Sequence, residues 1–211
     1  MCRLLYQRSA HTFDASIPLE KFALIAKNSK EYQGHGWGCA YLQDNKWQLY
    51  KSLKPVWEDK AFPRTQTTLL IAHARSAFRD RDIALENNMP FINGDWVFIF
   101  NGELHGVKIK EAGRIGAEKI FNFILRFYQD DMQDAVKKGI PVIERRSRYV
   151  KAMNLIIADK QQSYLSTLYN EEDDYFTMYV RQTADSVTLC SDPFPAESGW
   201  QPIKNKTMRI F

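Results

Sequence analysis

The chain has 211 residues, 45% of them hydrophobic, which fits one domain burying roughly 70% of its unfolded surface and excludes a disordered or fibrous chain. With 29 Lys+Arg against 25 Asp+Glu the formal charge is only +4, and no aromatic-interleaved basic motif accompanies it, so a nucleic-acid module is excluded. No apolar run nears the ~20 residues of a membrane span, so no membrane helix is expected.

In chain order, Cys2 to Tyr6 reads as a short strand, and Ile17-Pro18 opens a helix through about Asn28. Gly36 to Leu42 and Lys46 to Ser52 read as a hairpin around Gln43-Asp44-Asn45, because Trp47, Leu49 and Lys51 alternate against Gln48, Tyr50 and Ser52. Thr67 to Arg75 and Trp96 to Asn101 are buried strands by their continuous apolar runs. Ile115 to Gln129 places Ile120, Phe121, Ile124, Leu125 and Tyr128 on one helix face. A second helix is predicted within Gln129 to Gly139 and a third from Pro141 to about Met153. Strands then return at Asn154 to Asp159, Ser163 to Tyr169, Tyr175 to Gln182, Ser186 to Cys190 and Thr207 to Phe211. This order predicts an α+β sandwich in which helices cover two stacked sheets, in a single domain spanning 1–211.

Cys2, Cys39 and Cys190 are an odd, scattered set that suits a reducing compartment, and the N-terminus lacks the apolar stretch of a secretory signal. Cytoplasm is therefore expected. The four histidines at 11, 35, 73 and 105 have no metal-ligand spacing and there is no CxxC, so neither metal nor cofactor is expected. The basic run from Glu144 to Lys151 and the acidic Glu171 to Asp174 read as solvated faces.

Several residues are of types that carry chemistry. Cys2 becomes N-terminal if Met1 is trimmed, and its thiol then lies beside an α-amine whose pKa of about 7.7–8.0 suits it as a base. From position alone it could equally be a cysteine in a strand. Arg75 ends the apolar strand two residues after His73; its planar fork suits a carboxylate, and the bland alternative is a structural ion pair. His73 alone reads as a satisfied core histidine. Asn101-Gly102 ends a strand with a side-chain amide and an open backbone N–H, which is oxyanion-hole chemistry, but Asn-Gly is also the commonest tight-turn signal. Gly34-His35-Gly36-Trp37-Gly38 is either a flexible loop or a place where backbone approaches a ligand.

Taken in order, Met1-Cys2-Arg3, GHGWGCAYL, IAHARSAF and NNMPFINGDWVFIFNGEL resemble the class II glutamine amidotransferases, N-terminal-nucleophile hydrolases whose pattern runs MC, DGWG, HxR, NxHPF and HNG. Ser191-Asp192-Pro193 through Trp200-Gln201-Pro202-Ile203 is similar to the closing segment of the family's stand-alone, glutamyl-hydrolase-like members. The resemblance implies a four-layer αββα sandwich. It implies Cys2 as nucleophile with its α-amine as base, Asn101 and Gly102 as oxyanion hole, and Arg75, Gly36, Trp37 and His73 as substrate-binding residues. The implied reaction cleaves the γ-amide of glutamine or another small γ-glutamyl compound through a thioester, without metal. The ammonia goes to water or to a separate acceptor or synthase protein.

Four positions depart from the pattern. Met89 and Phe100 replace histidines, His35 stands for Asp, and Gly116 stands where the family has an acid for the substrate's amino group. Glu103 or Glu118 is the expected substitute acid. The rival reading is a catalytically weak binding or scaffold protein on the same fold.

Overall fold

The computed structural model describes residues 1–211. Arg3–Asp14 forms a strand, β1, and alternation along it sets the layers: Leu4 and Tyr6 face one way, Leu5 the other. A helix, α1 (Ser16–Lys27), follows, then β2 (Trp37–Gln43), β3 (Lys46–Ser52) and β4 (Gln66–Ala74). The Leu5 side of this sheet, with Leu70, Ala72, Trp37 and Cys39, packs on Leu19, Phe22 and Ile25 of α1. The opposite side, with Leu69 and Ile71, faces a second sheet.

That second sheet is built on β5 (Phe91–Asn93), β6 (Trp96–His105) and later strands, after α2 (Gly116–Leu125) and α3 (Met132–Arg145). The remaining elements are β7 (Tyr149–Ala158), β8 (Ser163–Ser166), α4 (Asp173–Phe176), β9 (Tyr179–Gln182), β10 (Ser186–Cys190), β11 (Gln201–Pro202) and β12 (Met208–Ile210). The seven-stranded sheet runs β11-β9-β10-β1-β4-β2-β3 and the five-stranded sheet β12-β8-β7-β6-β5, with antiparallel pairings throughout. On the outer face of the second sheet Phe98 stacks on Phe121 of α2, centroids 4.8 Å apart and planes within 5°. The layers are therefore helix, sheet, sheet, helices, as the αββα expectation requires. Each large side chain buried between them contributes about 1.5–3 kcal/mol. No helix is long and apolar enough to cross a membrane.

Three local expectations need correction. Asn101-Gly102 is no turn: β6 continues to His105, paired along β7 with Gly102 opposite Met153. Gly102 is required there by proximity, because a Cβ would lie 2.2 Å from the Ala152 carbonyl oxygen. The helical break predicted around Pro141 is also absent. One helix, α3, runs through it, capped by Asp131, whose carboxylate accepts the Asp134 N–H at 3.1 Å. An interior proline costs about 3 kcal/mol, but Met132, Ala135, Val136 and Ile143 keep one buried face across it and Pro141 itself points to solvent. The helix ends before Tyr149, where β7 begins, rather than at Met153. Finally, β1 runs well past Tyr6, while β5, β11 and α4 are too short to show a period in sequence.

Candidate active site

The pairing of β1 with β4 puts Arg3 opposite Ala74 and Leu4 opposite His73. Directly opposed residues share a face, so Cys2 and Arg75, one step further, fall on the same inter-sheet face as Leu4 and His73. The chain after β4 is held in line by Arg75 N–H to the Gly36 carbonyl at 2.9 Å and by His35 N–H to the Arg75 carbonyl at 3.1 Å. A cleft of about 710 Å³ opens there between the two sheets' ends, with Cys2, Arg75 and Gly102 on its wall.

Cys2 is half-buried. Its thiol donates to the Ser76 carbonyl at 3.7 Å. Surrounding protein pushes its pKa above the ordinary thiol value, although the nearby N-terminal ammonium, the Ser76 contact and Arg75 oppose this. With Met1 attached, the Cys2 nitrogen is a peptide nitrogen, and the thiol has no adjacent base. The Met1 ammonium sits 2.6 Å from Glu31, and its carbonyl accepts from Gln33 Nε2 and the Tyr175 hydroxyl, both at 2.5 Å.

Arg75 is 6% exposed, and no carboxylate comes within ion-pair distance of its guanidinium. Nη1 donates to Asn88 Oδ1 at 3.2 Å and Nη2 to the Asp82 carbonyl at 2.9 Å. Both partners are neutral oxygens. A guanidinium is always charged and a buried charge is normally paired, so this one leaves an unbalanced positive charge on the cleft wall. The structural ion pair considered from sequence is not formed.

Asn101 is fully buried, and both atoms of its amide lack a hydrogen-bond partner. Its cross-strand neighbour Asn154, equally buried, spends its amide on the Phe176 carbonyl at 2.6 Å and the Leu168 N–H at 3.1 Å. Asn154 is thereby structural, whereas Asn101 keeps unused donor and acceptor capacity beside Gly102.

Three residues that the resemblance assigned to substrate do not line the cleft. Trp37 packs on the α1 side of its sheet and donates its indole N–H to Asp59 Oδ2 at 3.0 Å. Gly36, at φ +99°, lies so close to Asn88 that a Cβ would be 2.2 Å from its Nδ2; it supports the residue that accepts from Arg75. His73 is completely buried, with Nε2 3.2 Å from the Phe100 carbonyl. It therefore positions the strand that carries Asn101 and Gly102. Residues that sequence reasoning missed are Ser76, Asp82 and Asn88. Asn88 lay within a quoted motif, but nothing local marked it as Arg75's partner.

The departures, by contrast, gather on the cleft wall: Met89, Phe100 and Gly116 all line it. Glu103 lines it too, bonded to His105 at 2.5 Å, whereas Glu118 is engaged by Arg114 and does not. His35 accepts the Ala77 N–H at 2.9 Å and so anchors the chain just after Arg75.

Burial, and then the Arg75 charge, push the His73 pKa down to about 3. The unfolded chain takes up this proton near pH 6.5 while the folded chain resists it, so stability falls as pH drops from about 6.5 towards 3. Urea midpoints are expected to fall between about pH 7 and pH 4.5, and to fall less in His73→Gln, which keeps a donor for Phe100 but does not titrate. Equal acid sensitivity in both chains would remove His73 from this role.

Residues 1–162 match the family description of the class II glutamine amidotransferases. Among characterised relatives, the chain is 22% identical over 175 residues to the gamma-glutamyl-hercynylcysteine sulfoxide hydrolase of Mycobacterium tuberculosis, covering 81% of this chain and 72% of that one. The enzyme of that name from Mycolicibacterium smegmatis is 24% identical over 176 residues, covering 81% and 74%. A protein described as a glutamine aminotransferase class-II domain protein, from Silicibacter pomeroyi, superposes with a TM-score of 0.68 at 14% identity over 99% of this chain and 94% of that one. Glutamine phosphoribosylpyrophosphate amidotransferase from B. subtilis gives 0.65 at 13% over 90% of this chain, which spans only 42% of that longer protein. By the match over residues 1–162, the chain belongs to the class II glutamine amidotransferases.

Proposed function

We propose that this chain hydrolyses a γ-glutamyl amide through a thioester on Cys2. The observation that carries the reading is Arg75, a buried guanidinium without a carboxylate, on the same cleft wall as the Cys2 thiol. A glutamyl α-carboxylate supplies the missing anion and brings the γ-amide to the sulfur. Similarity to hydrolases named for a γ-glutamyl substrate supports the same class.

In this mechanism Met1 is removed and the freed Cys2 α-amine takes the thiol proton. Sulfur attacks the γ-carbonyl carbon; the C–S bond forms and the charge on oxygen is met by the Asn101 amide and the Gly102 N–H. The C–N bond then breaks as the proton passes to the leaving nitrogen, releasing ammonia or an amine. Water adds to the thioester carbonyl, the C–S bond breaks, and glutamate leaves as the thiol regains its proton. The ammonia or amine goes to solvent or to a separate protein. A nucleophilic thiol with all cysteines free fits the reducing cytoplasm.

The test is glutamate release by the mature protein from glutamine and from γ-glutamyl dipeptides. Release from none of them would overturn the proposal. Arg75→Lys keeps the charge and loses the fork, so KM is expected to rise about tenfold or more. Removing the substrate's α-carboxylate is then expected to harm wild type more than the variant. Equal losses in both would make Arg75 a structural residue.

A further inference from the structure

Met1 is held by all three of its substituents. Its ammonium lies 2.6 Å from Glu31 Oε2, its carbonyl accepts from Gln33 Nε2 and from the Tyr175 hydroxyl, and its side chain packs on Ala152, Tyr169, Tyr175 and Phe176. The two donors are fixed by groups other than Met1. Gln33 is fully buried, and its Nε2 also donates to the Glu31 carbonyl at 2.9 Å, which sets the orientation of the amide. Tyr175 is buried too, with its hydroxyl 3.3 Å from Ser29 Oγ and its ring 4.3 Å from the Arg3 guanidinium. Burial pushes the phenol up to about 12, so it stays a donor at neutral pH.

This chamber is distinct from the wall assigned to the glutamyl group. Gln33, Ala152, Tyr169, Tyr175 and Phe176 do not line the inter-sheet cleft, which reaches only Met1, Cys2 and Glu31 at this end. Arg75 bonds to Asn88 and the Asp82 carbonyl, not to any group that holds Met1. Cutting the Met1–Cys2 bond leaves the chamber with a carboxylate for an ammonium, two convergent donors for a carboxyl oxygen and an aromatic wall for a side chain. It also adds one group, the Cys2 amine, where the bond was. Those groups match the substituents on the α-carbon of a free amino acid, in the handedness of Met1 itself.

We propose that the mature chain binds a free apolar L-α-amino acid, of which methionine is the type, in the chamber that Met1 occupies, and that this ligand inhibits the enzyme. This rests on the reading above that Met1 is removed and that the Cys2 α-amine is the base. The ligand's ammonium pairs with Glu31, its carboxylate accepts from Gln33 and Tyr175, and its thioether lies on aromatic rings, a contact favourable to sulfur. The same carboxylate lies against the Cys2 amine. An anion there favours the protonated amine, which withholds the base from the thiol.

The experiment uses protein that begins at Cys2, made by cutting a fusion with a protease that leaves this residue first and checked by mass. Calorimetric titration with L-methionine is expected to show one site with a Kd of about 1 mM or tighter. D-methionine misplaces one substituent and N-acetyl-L-methionine lacks the ammonium, so each is expected to bind at least about tenfold more weakly. Glu31→Gln, at a half-exposed position, is expected to weaken L-methionine about tenfold, and Tyr175→Phe about threefold. Protein that keeps Met1 should bind none, because its own residue fills the chamber. No saturable binding, equal affinity for the D isomer, unchanged affinity in Glu31→Gln, or equal binding by the form that keeps Met1 overturns the inference. Saturating L-methionine is also expected to suppress glutamate release, and undiminished release would overturn the inhibition. Should no glutamate be released from any substrate, the hydrolase reading has failed, and the titrations still decide this one because they need no turnover.

Discussion

Cys2→Ala is expected to reduce γ-glutamyl amide hydrolysis by at least ~10⁴-fold, the scale on which losing a covalent nucleophile is felt. Neither of the other cysteines can replace it: Cys39 and Cys190 are fully buried, one in the α1-side core and the other on β10, and burial pushes both thiols up, Cys190 to about 12. A glutamine-like electrophile is therefore expected to label Cys2 alone, as read by peptide mass spectrometry. A form that keeps Met1 tests the base. With Met1 retained, the thiol has only the Ser76 carbonyl beside it and a raised pKa, so protein that keeps Met1 is expected to be as inactive as Cys2→Ala. Undiminished turnover in Cys2→Ala would remove Cys2 from the mechanism, and undiminished turnover in the form that keeps Met1 would remove its α-amine.

Asn101→Ala is expected to lower kcat by about 10²–10³-fold, with KM little changed, because an oxyanion donor acts only when charge develops. The structure adds a control that kinetics alone lacks. Asn101 makes no hydrogen bond in the resting protein, so alanine forfeits none and folding stability is expected to change by no more than about 1 kcal/mol. Asn154→Ala one strand away loses two hydrogen bonds and leaves the Phe176 carbonyl and Leu168 N–H unpartnered in the interior, at a cost of about 1–3 kcal/mol each. Denaturant titration of both variants alongside the kinetics separates the roles. A large stability loss in Asn101→Ala at unchanged kcat would make Asn101 a second Asn154.

The departures from the family pattern acquire meaning from their placement. Met89, Phe100 and Gly116 line one cleft, while Cys2, Asn101 and Gly102 keep the residue types of the family pattern. Of the two acids considered for the substrate's amino group, Glu103 faces the cleft and Glu118 is engaged by Arg114. Both are glutamates near a strand end or a helix start, and only their partners tell them apart.

Sequence alone determined the layers and the order of chemistry along the chain. Apolar periodicity is local, so the α1 helix, the hairpin of β2 and β3, and the buried strands β4 and β6 were legible from side-chain type and spacing. The placement of Asn101 on a strand followed from the same patterns, whereas Cys2 and Arg75, read as the first and last residues of strands, sit one residue outside β1 and β4. Tertiary structure decided which motif residues touch the cleft. His73 and Arg75 are two residues apart on one face, yet one is sealed under the Phe100 carbonyl and the other opens onto the cavity, because the second sheet covers β4 only as far as His73. Trp37 sits inside a recognisable motif but turns to Asp59, which lies 22 residues away. Asn-Gly is a turn in isolation and a strand here, since pairing with β7 continues through it. In each case the deciding partner is distant in sequence, and the free energy of meeting it outweighs a local preference of about 1 kcal/mol or less.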